Sequence, residues 1–193
     1  MNTKPGLTIM VLLIAHCLNA QHVNFGLKVG LNVFNIQNDN STTYDPKAGL
    51  NAGLIGHIHL SRHFALQPEL IYSQKGAKFT VANVDRRLNL NYLNIPILFQ
   101  FMFNNGFRIQ AGPEIGILLQ AKQKTGNTNL DVKDDLKLFD LGLAAGVSYV
   151  HPPTGFGIDL RYVKGLVNIN SEGTETSKNQ GFQVGVFYLL KHR

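Results

Sequence analysis

From Gln21 onward, apolar residues recur at every second position, and they do so in eight separate stretches. A period of two places alternate side chains on opposite faces of an extended strand, whereas a helix needs a period near 3.6. The first stretch shows it most clearly. Phe25, Leu27, Val29, Leu31 and Val33 share one face, and Gly26, Lys28, Gly30 and Asn32 share the other. The second offers Leu50, Ala52, Leu54, Ile58 and Leu60, and the third Phe64, Leu66, Pro68, Leu70 and Tyr72. Leu93, Ile95, Ile97, Phe99, Phe101 and Phe103 form the fourth apolar face. Phe107, Ile109, Ala111, Pro113, Ile115, Ile117 and Leu119 form the fifth. The sixth holds Phe139, Leu141, Leu143, Ala145, Val147 and Tyr149, and the seventh Phe156, Ile158, Leu160 and Tyr162. Phe182, Val184, Val186, Tyr188 and Leu190 complete the set. Eight strands without a helical stretch predict an all-β chain.

The connections alternate too. Those after the first, third, fifth and seventh strands are long and polar, at about residues 35–47, 75–87, 122–135 and 165–179. The others are tight: Ser61-Arg62, Asn104-Asn105-Gly106, and His151 to Gly155. Asn-Gly and Pro-Pro-Thr-Gly are turn signals, because Gly accepts positive φ and Pro fixes φ. Antiparallel neighbours joined in this way put every long loop at one end, giving an eight-stranded up-and-down barrel with both termini on the short-turn side.

Period alone leaves two orientations, since a soluble lipocalin-type barrel turns its apolar face inward. Three features favour apolar side chains outward, against lipid. The non-apolar face is rich in small residues (Gly112, Gly116, Gly142, Gly146, Gly157, Gly185) and poor in charge, and only 16% of the chain is charged. A water-facing wall carries more Lys and Glu. Aromatics also gather at strand ends: Phe25, Phe64, Phe103, Phe107, Tyr149, Phe156 and Tyr188 near the short turns. Tyr72, Phe139, Tyr162 and Phe182 lie near the long loops. Paired aromatic girdles mark the headgroup boundaries of a membrane barrel. Finally, the strands reach the about 9–11 residues that a tilted crossing requires.

The first twenty residues read as a leader. Lys4 precedes the apolar block Leu7–Ala15, and Ala20 is the expected last residue removed. A basic start, a short apolar core and a small residue before the cut describe a secretory signal peptide, leaving 21–193 as the barrel. The apolar block is too short for a membrane helix. His16 before Cys17 departs from a lipoprotein signal, so lipidation is not expected. Removal of Lys4 lowers the net charge of +6 by one, to +5, and no basic block with interleaved aromatics suggests nucleic acid.

Several segments together resemble porin-family outer-membrane β-barrels of the PorT-like group. They are Phe25–Asn32 (FGLKVGLN), Leu66–Gly76 (LQPELIYSQKG), Leu90–Ile97 (LNYLNIPI) and Gly112–Gly116 (GPEIG), after a leader ending in Asn-Ala-Gln. The resemblance implies an outer-membrane location, a lipid surround and a possible envelope or secretion-machinery partner, without assigned chemistry. One departure is the tail Lys191-His192-Arg193, where many such barrels end on an aromatic residue.

With the apolar face outward, Lys28, Glu69, Arg108, Glu114, Asp159 and Arg161 point into the lumen. An eight-stranded bore is narrow enough for side chains to fill, and buried charges of both signs should pair. The expected result is a salt-bridged plug, with a polar conduit or a small-ligand site as the alternatives. His57 and His59 share a face, but no third metal ligand is secured by spacing. Asp39, Asp45, Asp131, Asp134 and Asp135 lack calcium-loop grammar. Pro68, Pro96 and Pro113 are expected at bulges or pairing gaps. Nucleophile-elbow, phosphate-loop and zinc-protease motifs are absent, so neither enzyme activity nor a cofactor is expected. The reading is a monomeric barrel acting through its external loops, with a narrow channel or a secreted soluble carrier as the other possibilities.

Overall fold

The computed structural model describes residues 23–38, 44–81, 83–171 and 176–190. The expected leader, its cleavage site, Cys17, Asp39 and the three C-terminal residues lie outside the described residues. Alternation becomes nine strands: β1 (Val23–Asn38), β2 (Asp45–His59), β3 (Phe64–Val81), β4 (Val84–Met102) and β5 (Phe107–Thr125). They continue with β6 (Thr128–Asp131), β7 (Phe139–Val150), β8 (Phe156–Gly165) and β9 (Ser177–Leu189). Each of the first five pairs with its neighbour, β5 also pairs with β7, and β7, β8 and β9 follow in turn. Antiparallel pairing of β1 with β9 closes the ring. β6 pairs only with the outer end of β5, so the closed wall has eight strands and β6 is a spur.

Every described residue assigned above to an apolar face is exposed or half-buried; none is buried. Phe25 is 65% exposed while Asn24 beside it is 8% exposed, and the contrast repeats around the wall. Apolar side chains therefore point away from the axis. Phe64, Phe101, Phe103 and Phe107 form a run of rings at the short-turn end, with centroids 5.4, 5.0 and 5.7 Å apart in sequence. Phe156 and Tyr188 continue that girdle at 4.7 Å, and Tyr162 and Phe182 meet at 5.0 Å on the opposite side of the apolar band.

The short turns fall as expected. Ser61 Oγ accepts from the backbone N–H groups of His63 and Phe64, and Gly106 and Gly155 take positive φ. Two of the long connections, 75–87 and 122–135, are corrected: most of each is strand, whereas residues 166–171 are loop. β3 and β4 run on to Val81 and Val84, which pair directly, with Asn83 in the left-handed region at φ 61°. β5 continues to Thr125 and turns into β6. Beyond Ala77, Leu90 and Ala121 both faces are exposed or half-buried, so no alternation signals the outer ends of these extensions. A bulge adds to the difficulty: Asn91 pairs with Gln120 and Tyr92 with Leu118, leaving Leu119 unmatched. Pro68, Pro96 and Pro113 sit at gaps across which the register does not shift. Pairing lapses between Pro68↔Ile97 and Ile71↔Asn94, and between Pro96↔Glu114 and Phe99↔Ala111. A residue without N–H cannot complete the ladder there.

Candidate functional site in the barrel lumen

Turning the apolar face out drives the polar alternates inward, and the lumen they fill is tiered. At the short-turn end Ile55, Val150, Phe187 and Leu189 pack as an apolar floor. Phe34, Leu98, Ala144 and Val163 form a waist. Ile36, Ala77, Leu90, Tyr92, Leu118, Ala121 and Ile169 form a roof under the long loops. Charged groups occupy the spaces between.

The inner tier centres on Arg161. Its Nη1 and Nη2 donate to the two oxygens of Glu69 at 2.8 and 2.9 Å, a bidentate fork, and its Nε donates to Asp159 Oδ2 at 2.9 Å. Lys28 Nζ donates to the same Asp159 oxygen at 2.6 Å. Gln67 Nε2 donates to Glu69 Oε1 at 2.6 Å, and Gln100 Nε2 donates to both Gln67 Oε1 and Gln110 Oε1. Small residues make the room. A Cβ on Gly185 would lie 2.7 Å from Asp159 Oδ1, and one on Gly146 would lie 2.7 Å from Arg161 Cβ.

The outer tier centres on Lys75. Its Nζ donates to Glu114 Oε1 at 2.9 Å and lies 4.0 Å from Asp140 Oδ2. The ammonium also sits 5.0 Å from the Phe34 ring centroid and 5.2 Å from that of Tyr92, between waist and roof. Asn94 Nδ2 donates to Glu114, and Asn179 Nδ2 donates to Asp140. A third group links Asn51 to Asn32 and Asn32 to Ser73.

All six charged residues expected in the lumen are buried, but the structure divides them. Lys28, Glu69, Asp159 and Arg161 form one cluster. Glu114 belongs to the outer tier, with a partner in Lys75. Arg108 is buried without an ion pair among the described residues, and its Nη1 has no hydrogen-bond partner. Lys75 and Asp140 were missed: Lys75 reads as the start of a polar loop, and Asp140 follows Phe139 at a strand's first turn of alternation. With them, the buried charges among the described residues are four cations and four carboxylates. Pairing and hydrogen bonding offset part of the desolvation cost of the seven that have partners, and Arg108 keeps its own.

The roof is built partly by the loops. Lys137 N–H donates to Ile169 O at 2.7 Å, Ile169 N–H to Ser177 O at 2.9 Å, and Ser171 N–H to Asp135 O at 3.0 Å. These bonds fold Ile169 into the mouth, with Val132 and Leu136 packed against the same cluster. His57 and His59 meet edge to face with centroids 4.5 Å apart. Among the described residues, no three His, Cys, Asp or Glu side chains gather as a metal site.

A closed antiparallel ring with apolar residues out and paired charges in defines a membrane β-barrel. The chain belongs to the family described as outer membrane protein beta-barrel domain, which matches residues 19–171. It resides in the outer membrane, surrounded by lipid. No curated protein matches the chain. Among solved structures it is similar to Neisserial surface protein A, at 13% identity and a TM-score of 0.59, covering 86% of this chain and 98% of that one. It is also similar to Ail, the attachment invasion locus protein of Yersinia pestis. That match has 16% identity and a TM-score of 0.53, covering 86% of this chain and 98% of Ail. At these identities the likeness is one of fold.

Proposed function

We propose that the protein, after removal of residues 1–20, works as a closed, monomeric outer-membrane barrel without enzymatic activity. In this reading the wall is a rigid mount, and the external loops carry out binding, envelope structure or support of a secretion machine. The last of these is the role implied by the PorT-like resemblance. The observation that carries the reading is the stacked lumen: an apolar floor, waist and roof with ion-paired tiers between them. Solute passing along the axis would have to break the Arg161–Glu69 fork and displace the Lys75–Glu114 pair, each made of buried groups.

Planar-bilayer recording tests the closed lumen. The purified barrel should give no stable ohmic steps, whereas regular steps would favour a small-solute channel. Exchange of residues 126–131 or 170–176 for neutral loops, which spares the ring strands and Ile169, tests where function lies. A protein that co-purifies in mild detergent should be lost from one of the exchanged barrels while the heat-modifiable folded band persists. Retention by both would move the function away from the loops.

A further inference from the structure

The outer wall carries a row of cations that the lumen does not explain. Register places Lys78 directly opposite Arg87, and Arg87 directly opposite Lys124. All three are exposed on the face that carries the lipid-facing side chains lower down. Lys122 follows one row nearer the membrane, between Asn89 on β4 and Asp131 on β6. Like charges placed directly across a sheet destabilise it, yet none of the three cations in the row has an ion-pair partner among the described residues. The nearby carboxylates lie at its margins. Asp45 faces Lys78 from β2, and Asp85, one row further out, accepts from Thr80 Oγ1 at 2.8 Å. Lys47 adds positive charge beside the row. Its ammonium is held below its ordinary range by burial and then by the fields of Arg87 and Lys78.

Height decides what could neutralise this row. The upper edge of the apolar band is the row Tyr72–Leu93–Ile117–Phe139. Above it come Gln74–Asn91–Gln120, then Gly76–Asn89–Lys122, then Lys78–Arg87–Lys124. At about 3.3 Å per residue and a tilt of about 40°, each outward row rises about 5 Å, so the cations stand about 15 Å above the aromatic edge. Glycerophospholipid headgroups extend only about 5–8 Å beyond the hydrocarbon on each side. The side chains also point sideways from the wall, not into the barrel mouth.

The geometry points to an anion site for the phosphorylated sugar headgroup of an outer-leaflet glycolipid, formed by Lys78, Arg87 and Lys124 with Lys122 beneath. It rests on the outer-membrane location and not on the closed lumen, so a conducting barrel would leave it standing. The test uses phosphatidylcholine nanodiscs containing purified lipopolysaccharide, with the native barrel, a K78Q/R87Q/K124Q variant and a K78R/K124R variant. Retained glycolipid is measured by mass spectrometry after washing, and folding by the heat-modifiable band. The native and Arg-substituted barrels should retain the glycolipid. Removal of three charges at an anionic surface should weaken retention roughly a hundredfold, and dephosphorylated glycolipid should be retained no better than by the Gln variant. Equal retention by the folded Gln variant would overturn the site, as would indifference to dephosphorylation. Equally tight binding of a soluble sulfated polysaccharide in detergent, abolished by the same substitutions, would overturn the lipid as its source.

Discussion

Arg161 satisfies two carboxylates from one guanidinium, so its loss should cost more than the loss of either partner. Arg161→Ala leaves Asp159 with Lys28 as its direct cation and Glu69 with none among the described residues. A buried pair broken from one side typically costs about 3–5 kcal/mol. In urea titrations of the folded barrel in vesicles, Glu69→Ala and Asp159→Ala should each destabilise. The Arg161→Ala/Glu69→Ala double variant should cost less than the sum of its singles, because each single breaks the same pair. Simple additivity would mean that the inner tier is not one network. Glycines give a second contrast. Gly185→Ala presses a methyl against Asp159 Oδ1 and Lys28 Cε, at 2.7 and 2.9 Å, and should cost about 1–3 kcal/mol. Gly126→Ala meets nothing within 4 Å and carries only the strain of its φ of 56°, so it should cost less. The reverse order in the same titration would contradict the crowded lumen.

At the scale of the strand, the two faces were legible because membrane and lumen impose opposite demands on successive residues. That is why Lys28, Glu69, Arg108, Glu114, Asp159 and Arg161 could be placed inward from parity alone. Their pairings could not, since spacing does not bring together Lys28 and Asp159, 131 residues apart, or Glu69 and Arg161, 92 apart. Nor could the extensions of β3, β4 and β5, whose outer halves leave the apolar band and lose the alternation it enforces. Ile169 shows the same limit: in sequence it belongs to a polar loop, yet it is 1% exposed inside the roof. The bulge at Leu119 yields a test. Leu118 points in, Leu119 and Gln120 both point out, and Ala121 points in. Deleting Leu119 therefore restores strict alternation and should change stability by about 1 kcal/mol or less. Deleting Ile115 instead flips the strand beyond it and should abolish the folded band. Comparable damage from the two deletions would refute the assigned register.

For the whole molecule, the outward apolar wall and the filled bore are two consequences of one alternation, and they can be measured together. Single cysteines at outward Val29 and Leu160, and near-isosteric ones at inward Ser73 and Ser148, sample both faces in a Cys17→Ala background. Ser73 and Ser148 are buried at 0% and 3% exposure, whereas Val29 and Leu160 are 55% and 46% exposed. A bimane attached at 29 or 160 before insertion should be quenched by brominated acyl chains in vesicles, since a thiol in hydrocarbon stays protonated and unreactive. A charged, water-soluble thiosulfonate should label none of the four until the barrel is unfolded. Rapid reaction of the thiosulfonate at 73 or 148 would show a water-filled bore, and at 29 or 160 a wall facing water, and either result would contradict this account.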